Sequence, residues 1–385
     1  MTVRRLTRRR VLGAGLGGLA GFGAGRPAPH NLIGGGNAMA QGTPETVVYV
    51  SNAGSKEVWV LAMNRASGEL DLIDKTPVPG NDKPSPTSMP MALSPDRRFL
   101  YAALRSEPFT VASFAIDKGT GKLSHLGNAP IEASMAYTTT DRTGRWLLCA
   151  SYPHGKLTVN PIDAEGKVQA PPSQVVADRP KAHCVIVDGS NKYVYCSVLA
   201  QDIIMQLKFD PATGALSPNT PDSIKTKEGA GPRHMAFHPS GRFLYLITET
   251  TSTIGAYAVD PANGSLKELQ FVSALPAEFK DQPAAADLHV TPDGKFLYGS
   301  ERKTSTLHGF KIDPEKGTLS PIGHFPTETT PRGFGIDPRG KYLLSAGLDS
   351  NHLTVYAIEA NGALNPKKQH AMGQMPNWIE FVDLK

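Results

Sequence analysis

The chain has little cysteine: three residues in 385, Cys149, Cys184 and Cys196, with no C-x-x-C pair. An odd count at these spacings argues against a disulfide framework and fits no zinc site, and the lack of C-x-x-C-H argues against covalent haem and a redox role. The three thiols are expected to be free and buried. Sustained helical periodicity is also missing, which rules out helical solenoids. No long apolar run occurs either: Val11 to Ala24 is diluted by glycine and falls short of the roughly 20 apolar residues a membrane-spanning helix needs. Net positive charge disappears once the chain is divided. The total is +5, but residues 1–40 hold six arginines, no lysine and no acid, which leaves −1 for the remainder. A folded part without basic excess removes the main electrostatic argument for a nucleic-acid partner.

What is present begins with a leader. A basic start precedes the weakly apolar Val11 to Ala24 segment, and Ala38-Met39-Ala40 has the form of an A-x-A cleavage site. Thr7-Arg8-Arg9-Arg10-Val11-Leu12 resembles the twin-arginine export motif. Residues 1–40 are therefore expected to be a signal peptide for the twin-arginine export machinery. Residues 41–385 would be the mature protein, periplasmic or secreted, with no membrane attachment after cleavage. A G-x-G-x-x-G match at Gly13 to Gly18 lies inside this leader with no strand before it, so it is not taken as a phosphate loop.

Two markers then recur at a period near fifty. One is a basic–aromatic–apolar strand start, with its aromatic at Phe99, Trp146, Tyr193, Phe243, Phe296 and Tyr342. The other is a turn of Gly, one residue and an aliphatic, beginning at Gly68, Gly121, Gly166, Gly214, Gly264, Gly317 and Gly362. Each unit reads as four short strands, A to D, with a hairpin between A and B. A blade of this kind cannot bury both faces alone and stacks radially on its neighbours, which predicts an all-β propeller. The first unit, from Val47, lacks strand A. The chain end, Met375 to Val382, has the shape of the strand A phrase Gly231 to His238. We therefore expect one domain over 41–385: a seven-bladed β-propeller, four antiparallel strands per blade, closed by the C-terminal strand in the first blade.

Aligning the units on the strand B aromatic exposes their polar differences. Ten residues before it stand Met89, Ala136, His183, Arg233, Ala286 and Arg332, with Asn377 equivalent at the chain end. Six residues after it stand Arg105, Tyr152, Leu199, Glu249, Arg302 and Leu348. The start of A and the exit of B lie at the same end of an antiparallel blade, so these residues should meet at one rim of the central channel. A single arginine at such a place is more often a surface tie; His183, Arg233, Glu249, Arg302, Arg332 and Asn377 together point to a site. Arginine grips carboxylate or phosphate through two parallel hydrogen bonds and keeps its charge, so the partner should be a small anionic molecule. Glu249 and His183 are the candidate acid/base groups. No pair of histidines has ligand spacing, so no metal or cofactor is expected. His238, His308 and His324 read as turn or blade-surface residues and His289 as a blade-packing one. Asp141, Asp293 and Asp337 read as turn formers.

With these residues in hand, the chain resembles the propeller-type lactonases, a family that includes one class of 6-phosphogluconolactonase and the fungal carboxymuconate lactonising cyclases. The resemblance runs from about Val47 to the C-terminus. It is carried by Glu228 to Met235 with Phe237-His238-Pro239, by Ala286 to Gly294, and by Thr327-Glu328-Thr329 with Pro331 to Phe334. It implies a seven-bladed propeller and a site formed by a His, two Arg and a Glu at one channel mouth, which His183, Arg233, Arg332 and Glu249 match. The expected activity is hydrolysis of a sugar-derived lactone: catalytic Glu249, His183, Arg233 and Arg332, with Arg302 and Asn377 binding substrate. An exported enzyme would meet a lactone other than the cytoplasmic pentose phosphate one. The alternatives are a muconate-type lactonising cycloisomerase and a non-catalytic exported ligand-binding propeller. A monomer is expected.

Overall fold

Strand B of the fifth repeat, Phe243–Thr248, is buried at every residue, as befits a strand flanked by two others and covered by a blade on each face. The outer strand of the first repeat, Leu70–Pro77, buries only its two ends of the apolar pattern and exposes the middle. This gradient repeats in seven four-stranded antiparallel sheets. The computed structural model describes residues 44–384, so the leader assigned to residues 1–40 lies outside the described residues. Among the described residues the helical content is one 3-10 turn, Leu199–Gln201, and no helix is long and apolar enough to cross a membrane.

The seven inner strands pack in a closed circle: Pro376–Asp383, Met91–Leu93, Tyr137–Thr140, Ala182–Val187, Pro232–Phe237, Ala285–Val290 and Pro331–Ile336, the last against the first. The expected closure is found. Pro376–Asp383 pairs antiparallel with Thr46–Asn52, Val47 opposite Val382 and Val50 opposite Ile379, and so completes the first blade. Apolar clusters sit between blades; Val48, Leu61, Tyr342, Leu344 and Phe381 join the last blade to the first. The three cysteines are free and buried, and burial pushes the Cys149 and Cys196 thiols up to about 12.

The two sequence markers share a period because they touch. The turn glycine of each blade after the first lies against the strand B position of the preceding blade: Gly264 on Tyr193, Gly317 on Phe243, and, across the closure, Gly68 on Tyr342. A Cβ on Gly264 would stand 2.3 Å from the Tyr193 ring, and its φ of +69° favours glycine independently. Two residues further along strand B, Tyr195 donates its hydroxyl to the Gly264 carbonyl at 2.6 Å. Gly264→Ala should therefore cost about 1–3 kcal/mol through overpacking, with added strain from the positive φ. Urea unfolding of the variant against wild type checks this.

One irregularity positions the site. In five inner strands the pairing with strand B slips by one residue near its start: between Ala182 and Cys184, between Pro232 and Met235, between Ala285 and Leu288, between Pro331 and Gly333, and at Asn377. Each slip is a β-bulge with one extra residue on the inner strand, which breaks alternation and re-aims side chains. Strand B serines take up backbone donors at two of them: Ser197 Oγ accepts from Cys184 N at 3.1 Å, and Ser300 Oγ from Asp287 N at 3.0 Å.

Candidate active site

The bulged residues are His183, Arg233 with His234, Ala286 with Asp287, Arg332 and Asn377. They share one end of the ring of inner strands with the exits of the B strands. Arg233, 1% exposed, donates Nε to Glu249 Oε2 at 3.0 Å and a terminal nitrogen to the Ala286 carbonyl. Arg302 Nη2 reaches the other carboxylate oxygen, Oε1, at 3.1 Å and the Ala285 carbonyl at 3.3 Å, and its Nε donates to the Ala284 carbonyl at 2.8 Å. Glu249 is thus held from two sides.

Burial alone would raise the Glu249 carboxyl, but Arg233, Arg302 and Arg332 outweigh it and hold it below the ordinary carboxylate range. Arg332 has no hydrogen bond or ion pair among the described residues. Burial and the charges of Arg233, Arg302 and Arg105 push its guanidinium well below its ordinary value. Arg105 is a fourth cation of the cluster, tied to Ser134 Oγ at 3.1 Å and Ser88 Oγ at 2.7 Å, and lowered to about 10 by burial. Three guanidiniums act on Glu249, Arg105 stands beside Arg332, and Asp287 is a second carboxylate near Arg233, so the rim is net cationic; arginine's charge survives such crowding.

His183 is buried beside Tyr152, ring centroids 5.5 Å apart, and beside His234 at 5.1 Å. Burial first, then Arg233, His234, Arg332 and Arg105, keep its imidazole well below its ordinary value, so it is neutral at pH 7. Asn377 is fully engaged as a tie: its Oδ1 accepts from Met89 N at 3.1 Å and Ser51 Oγ at 3.3 Å, and its Nδ2 donates to the Met375 carbonyl at 2.6 Å. Behind these residues lies a cavity of about 10 Å³ against Ser88, Arg233, His234, Arg332, Asn377 and Trp378. A larger one, about 280 Å³, opens from the opposite end of the inner strands and is lined by Phe237, His289, Arg142 and Glu380 among others.

The pattern of the seven-bladed β-propeller lactonases matches residues 49–381. The chain belongs to the lactonase family of seven-bladed β-propellers. A 6-phosphogluconolactonase from Pectobacterium carotovorum is 40% identical over 341 residues, covering 88% of this chain and 99% of that protein. One from Erwinia tasmaniensis is 38% identical over 334 residues, covering 86% and 97%. A solved structure, the periplasmic gluconolactonase of Pseudomonas aeruginosa, superposes with a TM-score of 0.80 at 26% identity, covering 88% of this chain and 99% of that one.

In this lactonase the six site residues chosen from sequence lie at one end of the inner strands, but three neighbours escaped that reading. Arg105 stands in the aligned set but not among the candidate site residues. His234 and Asp287 follow aligned positions by one residue, where simple strand alternation turns a side chain away; the bulge turns them in. His289 packs between blades as expected, its ring 4.8 Å from that of Phe334 in the next inner strand, and it also pairs with Asp287 Oδ2 at 3.1 Å and lines the larger cavity. His308, expected near a blade surface, is 1% exposed and meets His324 edge to face, ring centroids 4.8 Å apart. The turn aspartates behave as expected: Asp141 accepts from the Thr143, Arg145 and Trp146 amides, and Asp337 from those of Arg339, Lys341 and Tyr342.

Proposed function

We propose that this protein hydrolyses a sugar-derived lactone carrying an acidic group, in the manner of a 6-phosphogluconolactonase and with its own side chains as the only catalysts. The observation that carries this is Arg332, without a hydrogen bond or ion pair among the described residues, within a net cationic rim. A half-buried cation with no protein partner, crowded by other guanidiniums, is an arrangement that an anionic ligand relieves. Arg332 and Arg233 take the acidic group of the substrate or the carbonyl oxygen as it becomes an oxyanion. Glu249, with His183, accepts a proton from the attacking water. Arg302 holds Glu249 in place, and Asn377 closes the floor of the substrate pocket.

The chemistry fits the electrostatics. Glu249 is ionised at neutral pH, as a proton acceptor must be. When the oxyanion forms it draws on the same guanidiniums that restrain Glu249, so the carboxylate becomes more basic as the proton begins to move. Water oxygen bonds to the carbonyl carbon, the ring C–O bond breaks, and the leaving oxygen regains a proton to give the hydroxy acid. All these groups come from one chain, so a monomer suffices. The Arg8-Arg9-Arg10 leader supports a periplasmic or secreted location, and with it a substrate other than the phosphorylated cytoplasmic lactone.

The test is acid release in a pH-stat from gluconolactone, its 6-phosphate, an aldonolactone bearing a carboxylate, and a muconolactone. Turnover of at least one sugar lactone is expected. Loss of diene absorbance from a muconate-type diacid without sugar lactone turnover would favour cycloisomerisation. Tight binding of an anion with no turnover of any lactone would favour a binding propeller.

A further inference from the structure

Lactone hydrolysis at neutral pH liberates one net proton, because the acid product ionises. Building on the lactonase reading, the question is where that proton goes. The substrate mouth is a poor exit: its net cationic rim repels a hydronium, and the anionic substrate and product occupy it. A second path starts from the same residues. His234 lies beneath the rim with Nδ1 bonded to Asp287 Oδ1 at 2.7 Å, and Asp287 Oδ2 is bonded to His289 Nε2 at 3.1 Å. His289 stands near the far end of its inner strand, facing the 280 Å³ cavity that opens at the opposite mouth. That mouth is separated from the rim by four strand residues, Arg233 to Phe237, or about 13 Å.

The chain of groups has one gap, and the gap is polar. His183 Nδ1 and His234 Nε2 are both buried and both without a hydrogen-bond partner, on rings whose centroids are 5.1 Å apart. Orphaned buried nitrogens are costly unless water serves them; the small cavity against His234 has the room of about one water and is lined by His234 but not by His183, so the bridge to His183 is part of the proposal. We propose that His183, one ordered water, His234, Asp287 and His289 form a proton path that carries the hydrolytic proton from the substrate mouth through the centre of the propeller to the opposite mouth. No bond other than O–H and N–H changes along it. The leaving ring oxygen takes the second proton of the attacking water, so the proton that Glu249 or His183 removed first is passed on, each imidazole receiving at one nitrogen and releasing at the other, and ends in solvent beyond His289.

The surrounding charges set the direction. Burial and Arg233 lower His234 to about 4, partly offset by Asp287. For His289, burial works against the charged form, but Asp287 and Glu380 outweigh it and raise the imidazole above 6.5. Asp287 itself is kept ionised by His289 and His234 against the effect of burial. Around His183 stand Arg233, Arg332 and Arg105, with Lys181 over the Tyr152 ring. Tyr137, which packs on His234, meets Cys184 and feels Asp287 and Glu380. At the far mouth Glu380 accepts from Trp378 at 3.0 Å and feels Arg97, while Arg142 is spent on the Val187 and Asp188 carbonyls. A proton thus moves from a cationic rim to a mouth carrying two carboxylates, and it rests most readily on His289.

The test replaces His289, which lies at the opposite end of the inner strands from the substrate pocket. His289→Asn can keep a hydrogen bond to Asp287 but cannot pass a proton on. In weakly buffered solution its kcat should fall on the order of 10²-fold, the lower range for a proton-transfer group, with KM unchanged. Added imidazole should restore kcat in the variant and leave wild type unaffected; His289→Gln should behave alike. Unchanged kcat at low buffer, or a loss that imidazole does not rescue, overturns the path and leaves His289 structural. A wild type inactive on every lactone would overturn the lactonase reading first, so the two failures are distinguishable.

Discussion

Replacing Glu249 with glutamine should lower kcat for lactone hydrolysis by roughly 10² to 10⁴, the range for loss of a positioned general base. The substitution keeps the shape of the side chain and one acceptor for Arg233 or Arg302, so the fold should survive and KM should change much less than kcat. It also leaves Asp287 as the one carboxylate near the arginine cluster among the described residues, and binding of an anionic product or inhibitor should tighten. In wild type the acid limb of kcat/KM should lie below the ordinary glutamate pKa of 4.5, since Arg233, Arg302 and Arg332 stabilise the ionised form against burial. Activity is lost only as pH falls through that lowered value. Steady-state kinetics from pH 3 upward, with circular dichroism to separate unfolding, would check both statements. An active Glu249→Gln enzyme would remove Glu249 as the proton acceptor.

Arg332→Ala should lower kcat/KM for an acidic lactone by about 10² to 10³, as for loss of an oxyanion donor. It should affect a neutral lactone of the same ring size less if Arg332 binds the acidic group, and equally if it binds the oxyanion. A comparison of two substrates therefore assigns its role. The same variant should be no less stable than wild type. Arg332 makes no bond to the protein among the described residues, and its removal relieves repulsion with Arg233, Arg302 and Arg105. A large activity loss with an unchanged or raised melting temperature is the signature of a residue kept for its ligand. A lowered melting temperature with activity retained would mark Arg332 as structural.

The fold was legible in the sequence because its repeating contacts are local in pattern. The glycine and aromatic markers meet at each blade boundary, so their spacing records the stacking even though the partners lie about seventy residues apart, as Tyr195 and Gly264 do. The missing strand of the first blade was legible for the same reason, since Met375 to Val382 repeats a phrase seen inside the ring. The site was only half legible. Aligning one residue per blade finds His183, Arg233 and Arg332, and antiparallel pairing adds Glu249 and Arg302. It cannot find His234 or Asp287, because alternation assigns them to the other face and the bulges that reverse this depend on pairing with strand B. Nor does it show that Arg302 is occupied by Glu249 and two carbonyls while Arg332 is free; that follows from distances across the ring.

The recurring extra residue has a further consequence for how such a molecule can change. It detaches the innermost side chain of a blade from the rhythm that packs the sheet, so that position can carry histidine, arginine or asparagine while the apolar residues on either side keep their register. New specificity could then arise one sector at a time, by exchanging a single lining group without remodelling any neighbour. Exchanging Arg332 or His183 for another polar residue would retune the ligand while the seven cores stay as they are.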